Sequence, residues 1–247
     1  MKQYPRTRKI AIIVFWIAVW HIASLLIHNT IVFVGPVDVV RSFSALLPQP
    51  DFWRAVAGSF GRISLGFVAA FSSGILLGSL AYRFEILREF LEPVVLLMKS
   101  IPVASFVILA LIWIGSKNLA VFVSFTVVFP SIYVNTAAGL KSTDPKLLEM
   151  AQVFSIRGMR RVRFIYLPAL LPYLTSSCKV ALGMSWKSGI AAEVIGVPSH
   201  TIGENLYMAK IYLSTADLFA WTIVVILVSA LFEKLFLIVI REVGARL

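Results

Sequence analysis

The residues of this sequence best placed to do chemistry are ionisable side chains set inside long apolar runs. Lys179, Lys187 and Glu193 lie in one such run, together with Trp186. At about 100° per residue, seven steps along a helix return almost to the starting face. Lys179, Trp186 and Glu193 therefore fall on one line, with Lys187 beside it and Gly183 nearby. A charge at bilayer depth is costly, and it marks a solute path, a proton relay or a structural pair. The stripe is expected to face a translocation pathway or a second copy of the chain. Lys179 has the alternative of snorkelling to the water interface; Lys187 and Glu193 have that of pairing with a neighbouring helix. Glu92 and Lys99 are also seven apart and share a face just before Pro102. Pro102 should kink its helix. A structural kink and a gate are both open there, and Lys99 joins the pathway candidates.

Other chemistries find no support. His21, His28 and His200 are too scattered for a metal site, and there is no His-Glu-x-x-His helix or convincing nucleophile–base set. His21, near Trp16 and Trp20, reads as a packing residue. The single cysteine, Cys178, excludes an intrachain disulfide and a multi-cysteine metal site; it reads as a buried inert thiol. A phosphate loop needs Gly-Lys-Ser or Gly-Lys-Thr after a spaced glycine, which neither Gly115-Ser116-Lys117 nor Lys187-Ser188 supplies. The chain has no ATP site and no catalytic or metal-binding set of its own.

The elements that must position these residues are membrane spans. Of 247 residues, 59% are hydrophobic and only 14% charged, far less charge than a soluble domain carries. The apolar residues come in runs of about 20, enough to cross a bilayer. Six are expected: Ile10–Ile27, Ser59–Tyr82, Leu91–Ile114, Asn118–Leu140, Pro168–Ile195 and Asp217–Ile240. Runs this long are helices rather than barrel strands. The first is too long for a signal core, and His28, Asn29 and Thr30 are not a small-residue cleavage site, so it is expected to be retained. Gly74 and Gly78 form a G-x-x-x-G for close helix packing. Between the first two spans, Gly35–Gly58 is expected to hold a short interfacial helix on the outer side.

The net charge of +11 concentrates at the ends of the runs. Lys2, Arg6, Arg8 and Lys9 precede the first; Arg83 and Arg88 follow the second; Lys141, Lys146, Arg157, Arg160, Arg161 and Arg163 lie between the fourth and fifth; Arg241 and Arg246 follow the last. With alternating helices these share one side, which the positive-inside rule makes cytoplasmic. Both termini are then cytoplasmic. Nucleic-acid binding, which needs a basic water-exposed face, is not supported.

The segment of about 141–167 is too long for a turn. It runs Leu148-Glu149-Met150-Ala151-Gln152-Val153-Phe154-Ser155-Ile156-Arg157-Gly158 and continues to Ile165-Tyr166-Leu167-Pro168. This resembles the EAA loop of bacterial binding-protein-dependent importers: Glu-Ala-Ala, three residues, Gly, nine residues, Ile, one residue, Leu-Pro. Glu149, Ala151, Ile165, Leu167 and Pro168 match; Met150 stands for the first Ala and Ser155 for the Gly. Gly158 is the candidate for the displaced flexible turn. Leu147, Leu148, Ala151, Val153 and Phe154 would give a surface helix an apolar side. Phe154 is the candidate anchor for a partner groove, or else ordinary interfacial packing. Pro168 fits the first turn of span five. Ser59-Phe-Gly-Arg62, Ser100-Ile-Pro102, Lys179–Trp186 and Ala191-Ala192-Glu193 look like the nitrate, sulfonate, taurine and bicarbonate branch of that family.

The resemblance implies an all-α type I ABC importer fold, one permease domain over 1–247, in a bacterial cytoplasmic membrane. It implies a partner ATPase pair that binds ATP and Mg, an external solute-binding protein and a second copy of the permease. Glu149, Ala151, Phe154, Ser155, Gly158, Leu167 and Pro168 would couple to the ATPase. The solute would be small and polar or anionic. An ion-gradient-driven transporter is the rival reading; it would need broken helices or buried carboxylates paired across inverted repeats.

Overall fold

The computed structural model describes residues 6–27, 29 and 31–245, without the side chains of Arg6, Lys9, Val243 and Ala245. Lys2, His28, Thr30 and Arg246 lie outside the described residues. Every regular element among the described residues is helical, because backbone in hydrocarbon must satisfy its own hydrogen bonds.

Helix α1 (Arg6–Ile27) is apolar all round and almost uncovered by protein. One attachment is Trp20, whose Nε1 donates to Val34 O at 2.9 Å and whose ring stacks on Phe219. Helix α2 (Pro36–Leu46) is the short helix expected between the first two spans; Pro36 fixes its first turn and Val39 is its buried residue. Helix α3 (Pro50–Arg83) begins nine residues before the expected Ser59, since Pro50 at its first turn starts it early. At 34 residues it is about 51 Å long, longer than a hydrocarbon core of about 30 Å.

The third expected span is not one helix. Helix α4 (Glu85–Ser100) and helix α5 (Val103–Ile114) meet at 108° across Ile101 and Pro102. A proline ring disfavours helical geometry in the residue before it, and Ile101 is extended at φ −73°, ψ 126°. The kink expected at Pro102 is thus a complete break. Pro93, inside α4, does not break it.

Helix α6 (Ser116–Lys141) is the buried centre, packed between α3 and the long fifth span. Its seam with α3 is built on small residues one turn apart. A Cβ on Gly66 would meet Val121 O at 2.3 Å, on Gly74 Ile132 Cβ at 2.9 Å, and on Gly78 Tyr133 O at 2.9 Å. The expected close packing at Gly74 and Gly78 is therefore present, extended by Gly66 and the fully buried Ala70. Helix α7 (Pro145–Val153) follows, then helix α8 (Met159–Gly196), helix α9 (Ile202–Ile211) and helix α10 (Thr215–Ala245). Five helices are long and apolar enough to cross a membrane, six with the bent pair α4–α5. Phe52, Phe67, Trp186, Trp221 and Phe232 lie in the core that joins α3, α8 and α10, alongside α6.

Candidate coupling and translocation site

Helix α7 is capped at both ends by its own sequence. The Asp144 carboxylate accepts from Lys146 N at 2.9 Å, and Pro145 needs no partner for the N–H it lacks. At the other end Ser155 N donates to Gln152 O at 3.1 Å and Ile156 N to Ala151 O at 2.8 Å. This double closure needs a left-handed residue, and Ser155 supplies it at φ 53°. Ser155 is the position where the family pattern has Gly, so the backbone demand is kept although the residue differs. Gly158 does not replace it: it makes a second turn at φ 59°, ψ −135°, a conformation open to glycine.

The expected apolar side of α7 is divided in two. Ala151 is fully buried against its own chain and Leu148 half-buried. Ala151 therefore supports the helix and is not free to touch a partner. The outward side carries Leu147, Met150, Val153 at 80% exposure and Phe154 at 71%, with exposed Glu149 beside them.

Pro168 sits in the first turn of the α-helical part of span five, Leu167–Gly196, as expected. The helix reaches back to Met159 through a π-helical turn at Val162–Tyr166. Pro168 has no N–H for the Phe164 carbonyl. Just before it, Leu167 N–H reaches five residues back to Val162 O, the wide turn found where a helix absorbs such a defect. Leu167 is half-buried and Pro168 exposed. The last part of the loop, from Met159, and the span are thus one continuous helix, set off from α7 by the turn over residues 154–158.

Glu193 and Trp186 do not line an open face of this protomer; both are buried within it. Ser59 Oγ donates to Glu193 Oε2 at 2.5 Å and accepts from Ile202 N at 2.8 Å, while Gly203 N donates to the same carboxylate oxygen at 3.3 Å. A Cβ on Gly203 would lie 2.2 Å from Glu193 Cβ. Arg62 Nη2 reaches Ser199 O at 3.5 Å. Two far-apart fragments, Ser59-Phe-Gly-Arg62 and Ala191-Ala192-Glu193, therefore meet and tie α3, α8 and α9 together. Of the two readings open for Glu193, pairing with a neighbouring helix is the one realised. Trp186 sits between Phe60 and Phe232, each ring centroid 6.1 Å away. Sequence reasoning missed Ser59 as the partner and α9 as an element. The signal for α9 was Thr201-Ile-Gly-Glu204, a capping box: Thr201 Oγ1 accepts from Glu204 N at 3.0 Å.

The heptad line Lys179–Trp186–Glu193 is split because exposure on α8 follows another line: Val180, Met184, Lys187, Ala191 and Ile195. Lys179 and Lys187 are exposed. Met184 also lines a cavity of about 320 Å³ with Lys99, Ser131 and Asn135, beneath the α4–α5 break at Ile101. Asn135 Nδ2 donates to Ser131 O at 2.8 Å, which leaves its Oδ1 and second N–H for a ligand. None of Lys99, Lys179 and Lys187 forms an ion pair among the described residues. The structure thus brings Lys99 to Met184, one turn from Lys187, and separates all three from the buried Glu193.

The chain is thus a bundle of membrane-length helices with a short capped helix before its long fifth span, and an open side on which Lys99, Lys179 and Lys187 form no ion pair among the described residues. The chain belongs to the family of binding-protein-dependent transport system inner membrane components, whose model matches residues 63–246. It is thus an integral membrane permease of an ABC importer with the type I fold. Among its relatives, an aliphatic sulfonates transport permease of Bacillus subtilis is 25% identical over 94% of this chain and 85% of its own length. A taurine transport system permease of Escherichia coli is 24% identical over 94% and 88%. A nitrate import permease of Synechococcus elongatus is 24% identical over 73% and 68%.

Proposed function

We propose that this chain imports a small oxyanion-bearing solute, a sulfonate, taurine or nitrate-like molecule, by alternating access, with ATP hydrolysed by a separate subunit pair. The observation that carries the reading is α7: a doubly capped helix whose outward Leu147, Met150, Val153 and Phe154 are exposed, the last two most of all. Such a face fits an ATPase groove. Helix α7 is joined through Gly158 to the rod of α8, so a push on it reaches the membrane.

The solute class rests on two supports. The named solutes of the three relatives share an oxyanion group. The open side of this chain offers Lys99, Asn135 and Lys187, while Glu193, the one deeply buried carboxylate among the described residues, is engaged elsewhere. A cation facing Lys99 and Lys187 would be repelled. Two copies would face each other across this side, and a binding protein would deliver solute at the end away from α7. Both termini are cytoplasmic in this reading, because the basic segments share the α7 end.

Reconstitution tests it. Vesicles holding the permease, its ATPase and the binding protein should take up methanesulfonate, taurine or nitrate only with ATP, and a proton ionophore should not stop them. The broken pair α4–α5 is the one feature that favours an ion-gradient transporter. Uptake driven by an ion gradient without the ATPase would establish that rival instead.

A further inference from the structure

A second cationic cavity lies at the α7 end of the bundle, apart from Lys99. It encloses about 530 Å³, between Ser79, Tyr82 and Arg83 at the end of α3 and Gly158, Arg161 and Tyr166 at the start of α8. No carboxylate lines it among the described residues. Glu85, next but one to Arg83, is engaged by Arg88 at 2.6 Å.

Arg161 is held rather than solvated. Its Cζ lies 5.6 Å from the Tyr166 ring centroid, a cation–π distance. Tyr166 in turn meets Tyr82 edge-on at 6.1 Å. Arg161 Nε is buried without a hydrogen-bond partner. An arginine present only to mark the cytoplasmic side would extend its guanidinium into water. Here a fixed fork, a second guanidinium from a distant part of the chain, two phenols and the Ser79 hydroxyl surround one space. Guanidinium forks match the geometry of phosphate and sulfonate oxygens.

We infer that this cavity binds one oxyanion group that bridges Arg83 on α3 and Arg161 on α8. Arg83 closes an apolar helix and Arg161 precedes an apolar run, so the cavity sits at headgroup depth. The oxyanion is the phosphate of an anionic lipid or a free anion from the adjoining water. Gly158, the turn between α7 and α8, forms part of the wall. A bound oxyanion therefore fixes the foot of α8 to α3 and sets how freely α7 moves.

The test uses the purified full chain in neutral detergent. Thermal unfolding and native mass spectrometry are run with dihexanoyl phosphatidylglycerol, dihexanoyl phosphatidylcholine, inorganic phosphate and methanesulfonate. Phosphatidylglycerol or the free anions should bind and raise Tm, and phosphatidylcholine should not. Arg83→Gln and Arg161→Gln should each weaken the binding about tenfold, the scale of one lost charge-assisted hydrogen bond, and Arg161→Lys should weaken it less. Binding of phosphatidylglycerol without competition from phosphate or methanesulfonate identifies the lipid as the source. Binding and competition by the free anions identify a dissolved oxyanion. Equal binding of phosphatidylcholine, no binding by any probe, or binding unchanged in both glutamine variants overturns the inference. Should Arg161→Gln fail to fold, Arg83→Gln decides alone, because Arg83 is exposed at its helix end. None of these readouts depends on transport, so failure here leaves the importer reading untouched.

Discussion

Phe154→Ala, with Phe154→Asp as the harsher variant, tests whether the outer face of α7 is the ATPase contact. A fully buried phenylalanine removes roughly 200 Å² from water. Phe154 is 71% exposed, so about 140 Å² remains to be covered by a partner. At about 25 cal/mol per Å² this is worth up to about 3.5 kcal/mol. Ordering the contact reduces it, and about 2 kcal/mol, or roughly 30-fold in affinity, is the expected cost of truncation. The fold should be unharmed, because the ring contributes little to the chain's own core. Binding of the permease to its ATPase would be measured by titration in detergent, and coupling by ATPase activity with and without loaded binding protein. Phe154→Ala should weaken binding about 30-fold, and Phe154→Asp and Glu149→Lys should abolish solute-stimulated ATPase activity at normal membrane insertion. Ala151→Leu should instead lower Tm, since Ala151 has no exposed surface. Wild-type affinity and stimulation in both Phe154 variants would refute the assignment of this face.

Four further outcomes are expected. Ser155→Gly should stabilise α7 by about 0.5–1 kcal/mol, the left-handed penalty of about 1–2 kcal/mol less the entropy of glycine, and Ser155→Val should loosen it, as read by hydrogen exchange at Ile156 and Phe154; equal exchange in all three would contradict the capping argument. Cysteines at Met184 and Lys187 should react with small polar reagents in at least one nucleotide state, and a cysteine at Trp186 should not; the reverse order would put the pathway on another face. Ser59→Ala removes the hydroxyl that Ile202 N–H and Glu193 share, and should cost about 3 kcal/mol, seen as a drop in Tm and faster cleavage in the α8–α9 segment; an unchanged Tm would mean the tie is dispensable. A reporter after Gly158 should read cytoplasmic and one at His200 external, and opposite signals would invert the topology.

Five of the six expected spans and the short helix after Lys141 were legible because they depend on local physics. Apolar run length marks a span, and the Glu149–Pro168 spacing survives the change at Ser155. What was not legible depends on contacts between distant segments. A seven-residue period places Lys179, Trp186 and Glu193 on one line but does not say which way the line faces. The facing was set by Ser59 and Gly203, which approach from elsewhere in the chain. The break before Pro102 was readable in position but not in size, since a proline permits anything from a bend to a 108° turn. Pro168 marks the start of the α-helical stretch, but the π-helical turn that carries the helix back to Met159 had no signal in the sequence.

The continuity of α8 has a mechanical consequence. Its 38 residues make a lever arm of about 57 Å. A tilt of about 5° at its foot would sweep the tip by about 5 Å, nearly the pitch of one helical turn. The tip is bolted to α3 and α9 through Glu193 and Ser59, so it cannot swing alone. If α7 is the ATPase contact proposed above, torque applied there would turn α3, α8 and α9 together. The α4–α5 break, which lies beside Lys99, is then the place where the bundle would bend.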